Sequence, residues 1–206
     1  EILRLDNILR KQLNYPLRMS SFAQPWTIKP EKVTHSATLE FTINSEIEYK
    51  GALLAIEDLE NAKIIFNGSK VQNEQVGYFT DESIKTAKLP DIKIGKNILQ
   101  VTLPFGRRTN IEWCYILGDF GVKVNGYVKT ITQKPQLIGF SSVTEQGFAF
   151  YGSNISYKMD FVLDSDAKEI VIHAPNYRGA LISAELDGKD IGKIVFSPYN
   201  LKVSNI

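Results

Sequence analysis

The stretch ATLEFTIN, residues 37–44, decides the fold. Leu39, Phe41 and Ile43 alternate with Glu40, Thr42 and Asn44, the two-residue period of a strand with one dry face and one wet face. The same grammar repeats outward from it. Residues 51–56 are a continuous apolar run, which suits a strand covered on both faces. The run 64–66 enters Asn67-Gly68 and leaves toward Val71; both turn residues tolerate positive φ, so a hairpin is expected. Segments 85–89, 98–103, 113–117, 120–124 and 127–131 continue the series. Gly95-Lys96-Asn97 turns into Ile98, and Asn125-Gly126 separates the last two segments. Beyond them, 156–163, 170–174, 180–186 and 193–196 read as strands, with Asp187-Gly188 as another tight turn. Many short strands joined by turn chemistry predict an all-β sandwich. Only the start differs. Ile2, Leu3, Leu5, Ile8, Leu9 and Leu13 recur at helical spacing until Pro16 stops the pattern. Residues 15–30 carry Pro16, Pro25 and Pro30 around Trp26 and read as an extended arm that Trp26 pins to a sandwich.

Composition narrows the function. The chain has 206 residues, 43% of them apolar, and a net charge of +1. That is enough chain for one or two domains with a real core. Near-neutral charge argues against a nucleic-acid partner, which needs a basic stripe. No apolar run approaches the ~20 residues of a membrane helix, so no membrane partner is expected. A single cysteine, Cys114, excludes an internal disulfide or a cysteine-built zinc site. His35 and His173 are too few for a histidine cluster, and no stretch offers the roughly six to eight oxygen ligands of a calcium loop. Neither a metal nor another cofactor is predicted. The chain starts at Glu1 with neither an initiator methionine nor a leader, which predicts a piece of something larger and leaves cytoplasmic and exported locations both open.

The organisation read from the sequence is a helix and arm over 1–36, a first β-sandwich over 37–133 and a second over 134–206. An internal repeat supports the division. Phe41 and Phe161 stand in the same offset as Gly68 and Gly188, so 39–41 matches 159–161 and 51–56 matches 170–174. The second copy stops soon after its turn and is expected to lack closing strands, which would leave edges unpaired.

Three stretches resemble a known family. DNILRKQLNYPLRMSSFAQPW (6–26), PFGRRTNIEWCYILGDFGV (104–122) and FYGSNISYKMDF (150–161) are similar to the β-sandwich region of large bacterial glycoside hydrolases. The likeness is to the sugar-binding jelly roll of family 2 and of α-L-rhamnosidase-like enzymes. FNG (66–68) and GKNIL (95–99) are generic to galactose-binding-like jelly rolls. The resemblance implies galactose-binding-like jelly-roll sandwiches that do no chemistry themselves. They would recognise carbohydrate or support a catalytic domain of the same polypeptide.

Most of the candidate residues admit a blander role. Glu57-Asp58 and Asp81-Glu82 read as turn chemistry or solvated faces, since adjacent strand residues point to opposite sides. Cys114, between Trp113 and Tyr115, reads as an inert core thiol. His35 reads as a surface imidazole and His173 as a buried, hydrogen-bonded one. Gly118 and Gly121 flank Asp119-Phe120 without the helix that a phosphate loop uses. No catalytic residue is assigned. A sugar site needs an exposed ring beside groups able to make paired hydrogen bonds. Arg107, Arg108, Asn110, Glu112 and Trp113 concentrate such groups in one loop, and Tyr78 and Asp81 are expected at the same end. Tyr151, Asn154 and Tyr199 are the candidates in the second copy. The competing reading is a purely structural or protein-interaction module, with the arginines ion-paired to Glu112 and Trp113 in the core. A self-contained hydrolase is the third, and it would turn over aryl glycosides.

Overall fold

The computed structural model describes residues 2–18, 29–164 and 166–204. The alternating stretch becomes β1 (His35–Ser45), paired along its whole length with antiparallel β7 (Gly95–Phe105). On the β7 side lie β3 (Lys63–Phe66) and β4 (Ser69–Lys70); on the β1 side lie β10 (Val128–Thr132), parallel to β1, and β9 (Gly121–Asn125). The resulting six-stranded order is β4-β3-β7-β1-β10-β9. A second sheet has the order β5-β6-β2-β8, from β5 (Gly77–Phe79), β6 (Asp81–Lys88), β2 (Leu53–Ile56) and β8 (Tyr115–Leu117). One core lies between the sheets. Leu54, Ile56 and Ala87 of the smaller meet Ile64, Phe66, Leu99 and Val101 of the larger, all nearly dry. Burying each large aliphatic or aromatic side chain contributes roughly 1.5–3 kcal/mol. The fold is thus all-β with one short helix.

Turn chemistry explains the connections. Asn67 and Gly68 have φ 48° and 79°, and Phe66 pairs directly with Ser69. This is the positive-φ pair a two-residue hairpin prefers. The second Asn-Gly pair behaves differently. Asn125 pairs with Val128, so the loop is Gly126-Tyr127, with positive φ at Gly126.

The chain divides into two compact units, Glu1–Gly152 and Ser153–Ile206. Residues after β10 stay with the first through a parallel bridge from Val122 to Phe148. In the second unit β11 (Glu169–His173) pairs with β14 (Asn200–Ser204), and β12 (Ile182–Leu186) pairs with β13 (Lys189–Ile194) around Asp187-Gly188. Ile194 is its one fully buried hydrophobic residue among those described. Residues 156–163, expected as a strand, lie in none, and Met159 and Phe161 are exposed, unlike Phe41 in β1. His173 is exposed, not buried. Alternation along β11 sets it outward with Glu169 and Val171, where it bonds Asn200.

The helix α1 (Ile2–Gln12) forms as its spacing predicts, but its buried face is different. Leu3, Leu5 and Ile8 are exposed, while Asp6 and Arg10 are buried beside Ile2, Leu9 and Leu13. That face covers Ala37, Phe105 and Ile111. Tyr15 stacks on Phe105 at 6.3 Å. Trp26, the expected anchor, lies outside the described residues. Among the described residues no helix is long and apolar enough to cross a membrane.

Candidate functional site

Strand direction gathers the site. β2 is antiparallel to both β6 and β8, with Ala55 opposite Thr86 on one side and Tyr115 on the other. Both neighbours therefore begin where β2 ends. That end brings together the residues after Ile56, those at Asp81 and those before Tyr115. A cleft opens there between the sheets. Leu39, Phe41, Val101 and Leu103 of the larger sheet and Ile56 and Cys114 of the smaller side give it apolar walls; Glu57, Asp58, Asn110 and Glu112 supply its polar lining.

Two expected residues, Asn110 and Glu112, are in this cleft. Glu57 and Asp58 join them because β2 stops at Ile56. Asp58 adopts left-handed φ 53° and ψ 34° and leads into a 3-10 turn at Leu59–Asn61, which removes the strand parity that would separate the pair. Burial, then the charges of Glu112, Asp58 and Asp81, push the Glu57 carboxyl up from its ordinary value. Hydrogen bonds from Ser83 hold the Asp81 carboxyl low, and the Ser83 N–H reaches Oδ1 at 2.8 Å. Burial pushes the Cys114 thiol up to about 11, consistent with an inert core cysteine.

None of Trp113, Tyr115 and Tyr78 lines the cleft. Trp113 is 52% exposed rather than in the core. Tyr115 is exposed and meets Phe79 at 5.3 Å between ring centroids. Tyr78, opposite Lys85, is 59% exposed. Arg107 turns toward the arm: its N–H donates to Glu31 Oε1 at 2.7 Å, and its guanidinium lies over the Tyr15 ring. Arg108 is exposed. Tyr151 belongs to the first unit, edge-on to Phe148 at 5.7 Å. Asn154 and Tyr199 belong to the second, where Tyr199 packs edge-on against Tyr177.

Sequence reasoning missed a polar cluster beside this loop. Asp6 Oδ2 accepts a hydrogen bond from Arg10 Nε at 2.9 Å and lies 3.7 Å from Arg18 Nε. Arg10 also donates to the carbonyls of Pro16, Arg107 and Thr109. Arg18 Nη2 sits 3.5 Å from Glu112 Oε1. The available signal was an Asp and an Arg four positions apart on a helix. Among the described residues no three His, Cys, Asp or Glu side chains form a group that could hold a metal ion. The carboxylates and the Asn110 amide can accept hydrogen bonds, and Trp113, next to Glu112 in the chain, has an exposed ring. No protein-family model, characterised protein or solved structure matches the chain.

Proposed function

We propose that the chain is a non-catalytic accessory β-sandwich region of a bacterial multidomain glycoside hydrolase, of the galactose-binding-like jelly-roll type, and that it recognises carbohydrate. The observation that carries the recognition reading is a cleft lined by Asn110, Glu112 and Glu57, with an exposed Trp113 next to Glu112 in the chain. Sugars present C–H faces and a rim of hydroxyls, and these residues offer a ring for the first and acceptors for the second. The enzyme parentage rests on the sequence resemblance of 6–26, 104–122 and 150–161. Binding would work by stacking and hydrogen bonding, without bond cleavage. The test is a glycan array on the whole chain, followed by titration of Trp113→Ala. Saturable binding that drops at least about tenfold in a folded variant supports recognition. Binding to no glycan leaves scaffolding, and turnover of aryl glycosides would instead establish a hydrolase.

A further inference from the structure

Glu112 is the point where the cleft meets the segment after the N-terminal helix, through Arg18. The residues between β7 and β8 have no ladder partner, so other bonds must order them. Thr109 folds the first part into a turn: its N–H donates to the Gly106 carbonyl at 3.1 Å, and its hydroxyl accepts from the Gly106 N–H at 2.9 Å. Glu31 accepts from the Arg107 N–H at 2.7 Å, and further constraints come from almost a hundred positions away. Arg10, 2% exposed, donates to Arg107 O at 3.1 Å and Thr109 O at 2.5 Å. A guanidinium this deep requires a counter-charge, and Asp6, fully buried, supplies it. The same oxygen of Asp6 faces Arg18, whose other end reaches Glu112. Arg18 is itself clamped: its N–H donates to Asn7 Oδ1 at 2.7 Å, and Asn7 Nδ2 donates back to its carbonyl at 3.0 Å.

We infer that Asp6 is the positioning hub of the cleft loop, one buried carboxylate oxygen fixing residues 107–109 through Arg10 and Glu112 through Arg18. The other oxygen, Asp6 Oδ1, is buried with no hydrogen-bond partner, so the hydrogen bonding of this carboxylate runs through the side facing the two arginines. The helix is therefore part of the site, although it lines none of it. The consequence for a bound sugar rests on the recognition reading above. The consequence for the loop does not.

The test is hydrogen–deuterium exchange on the whole chain, comparing Asp6→Asn, Arg10→Met and Arg18→Met. In Asp6→Asn, exchange across 107–112 should rise about tenfold, the effect of losing one ordinary hydrogen bond's worth of protection. Arg10→Met should confine the rise to 107–109 and Arg18→Met to 110–112, with β1 and β7 unchanged in both. Wild-type exchange over 107–112 in Asp6→Asn overturns the inference, as does an equal rise in β1 and β7. Should Asp6→Asn fail to fold, Arg18→Met decides, because its side chain is partly exposed; unchanged exchange at 110–112 then overturns it. If no glycan binds the unaltered chain, recognition falls while exchange still judges the hub.

Discussion

Replacing Asn97 with Ala tests how the turn into β7 is held. The Asn97 side chain is fully buried and makes four hydrogen bonds. Its Nδ2 donates to Lys93 O at 2.7 Å and Gly95 O at 3.3 Å, and its Oδ1 accepts from Lys93 N at 2.9 Å and Asn67 Nδ2 at 2.8 Å. Asn67 Oδ1 in turn accepts from Ile98 N, so the amide pair joins the β3–β4 hairpin to the first residues of β7. Four bonds at about 0.5–1.5 kcal/mol each give a gross loss of roughly 2–6 kcal/mol. Lys93, Gly95 and Asn67 are exposed and recover water partners, which sets the expected cost near the lower half, ~3 kcal/mol. For a chain of this size that lowers Tm by about 6–12 °C. Asn67→Ala removes two bonds from an exposed side chain and puts Ala at φ 48°, which together should cost ~2 kcal/mol. Urea unfolding followed by circular dichroism measures both. The double variant should cost at least ~0.5 kcal/mol less than the sum, because the singles share one bond. A cost for Asn97→Ala no larger than for Asn67→Ala, or strict additivity, refutes the reasoning.

Two further outcomes follow from titration. With the Cys114 thiol near 11, native alkylation by iodoacetamide should climb about tenfold per pH unit from pH ~8 to ~10, while the unfolded chain levels off above pH ~8.5. Equal native and unfolded rates at pH ~8 would contradict burial of this thiol. For Glu57 the folded pKa is raised, so the folded chain holds that proton more tightly than the unfolded one, and the ionised carboxyl costs stability above its pKa. Glu57→Gln should therefore raise Tm at neutral pH, by a small amount that salt reduces, and the gain should vanish as pH falls through the carboxylate range. A gain that grows on acidification would show the sign to be wrong.

Much of the β framework was legible because period and turn chemistry are local properties. The alternation at 39–43 and the positive-φ pairs at Asn67-Gly68 and Asp187-Gly188 needed no tertiary information. β5 and β14 were not anticipated: the first is three residues long, and Leu201-Lys202-Val203 is too short a run to stand out. Residues 156–163 show the opposite failure, since apolar alternation without a partner strand makes no ladder. The helix shows the limit of counting apolar positions. Six of them implied an oily inner face, yet Asp6 and Arg10 went inside because the carbonyls of 107 and 109 waited there to be bonded, which only the fold reveals. The same holds for the cleft. Asn110 and Glu112 were legible as a polar loop, whereas Glu57 and Asp58 joined them through a left-handed residue at the end of β2.

The segment before β8 also dictates how a ligand could approach. Glu112 and Cys114 line the cleft, and Trp113 between them does not. Trp113 is instead 52% exposed. A ligand held wholly in the cleft therefore meets Glu112 and not the Trp113 ring. Strand β8 closes the order β5-β6-β2-β8, and among the described residues no strand pairs beyond it. A sugar bound as proposed would therefore have to reach from Glu112 and Asn110 in the cleft out to the Trp113 ring, in the segment that leads into this uncovered edge strand.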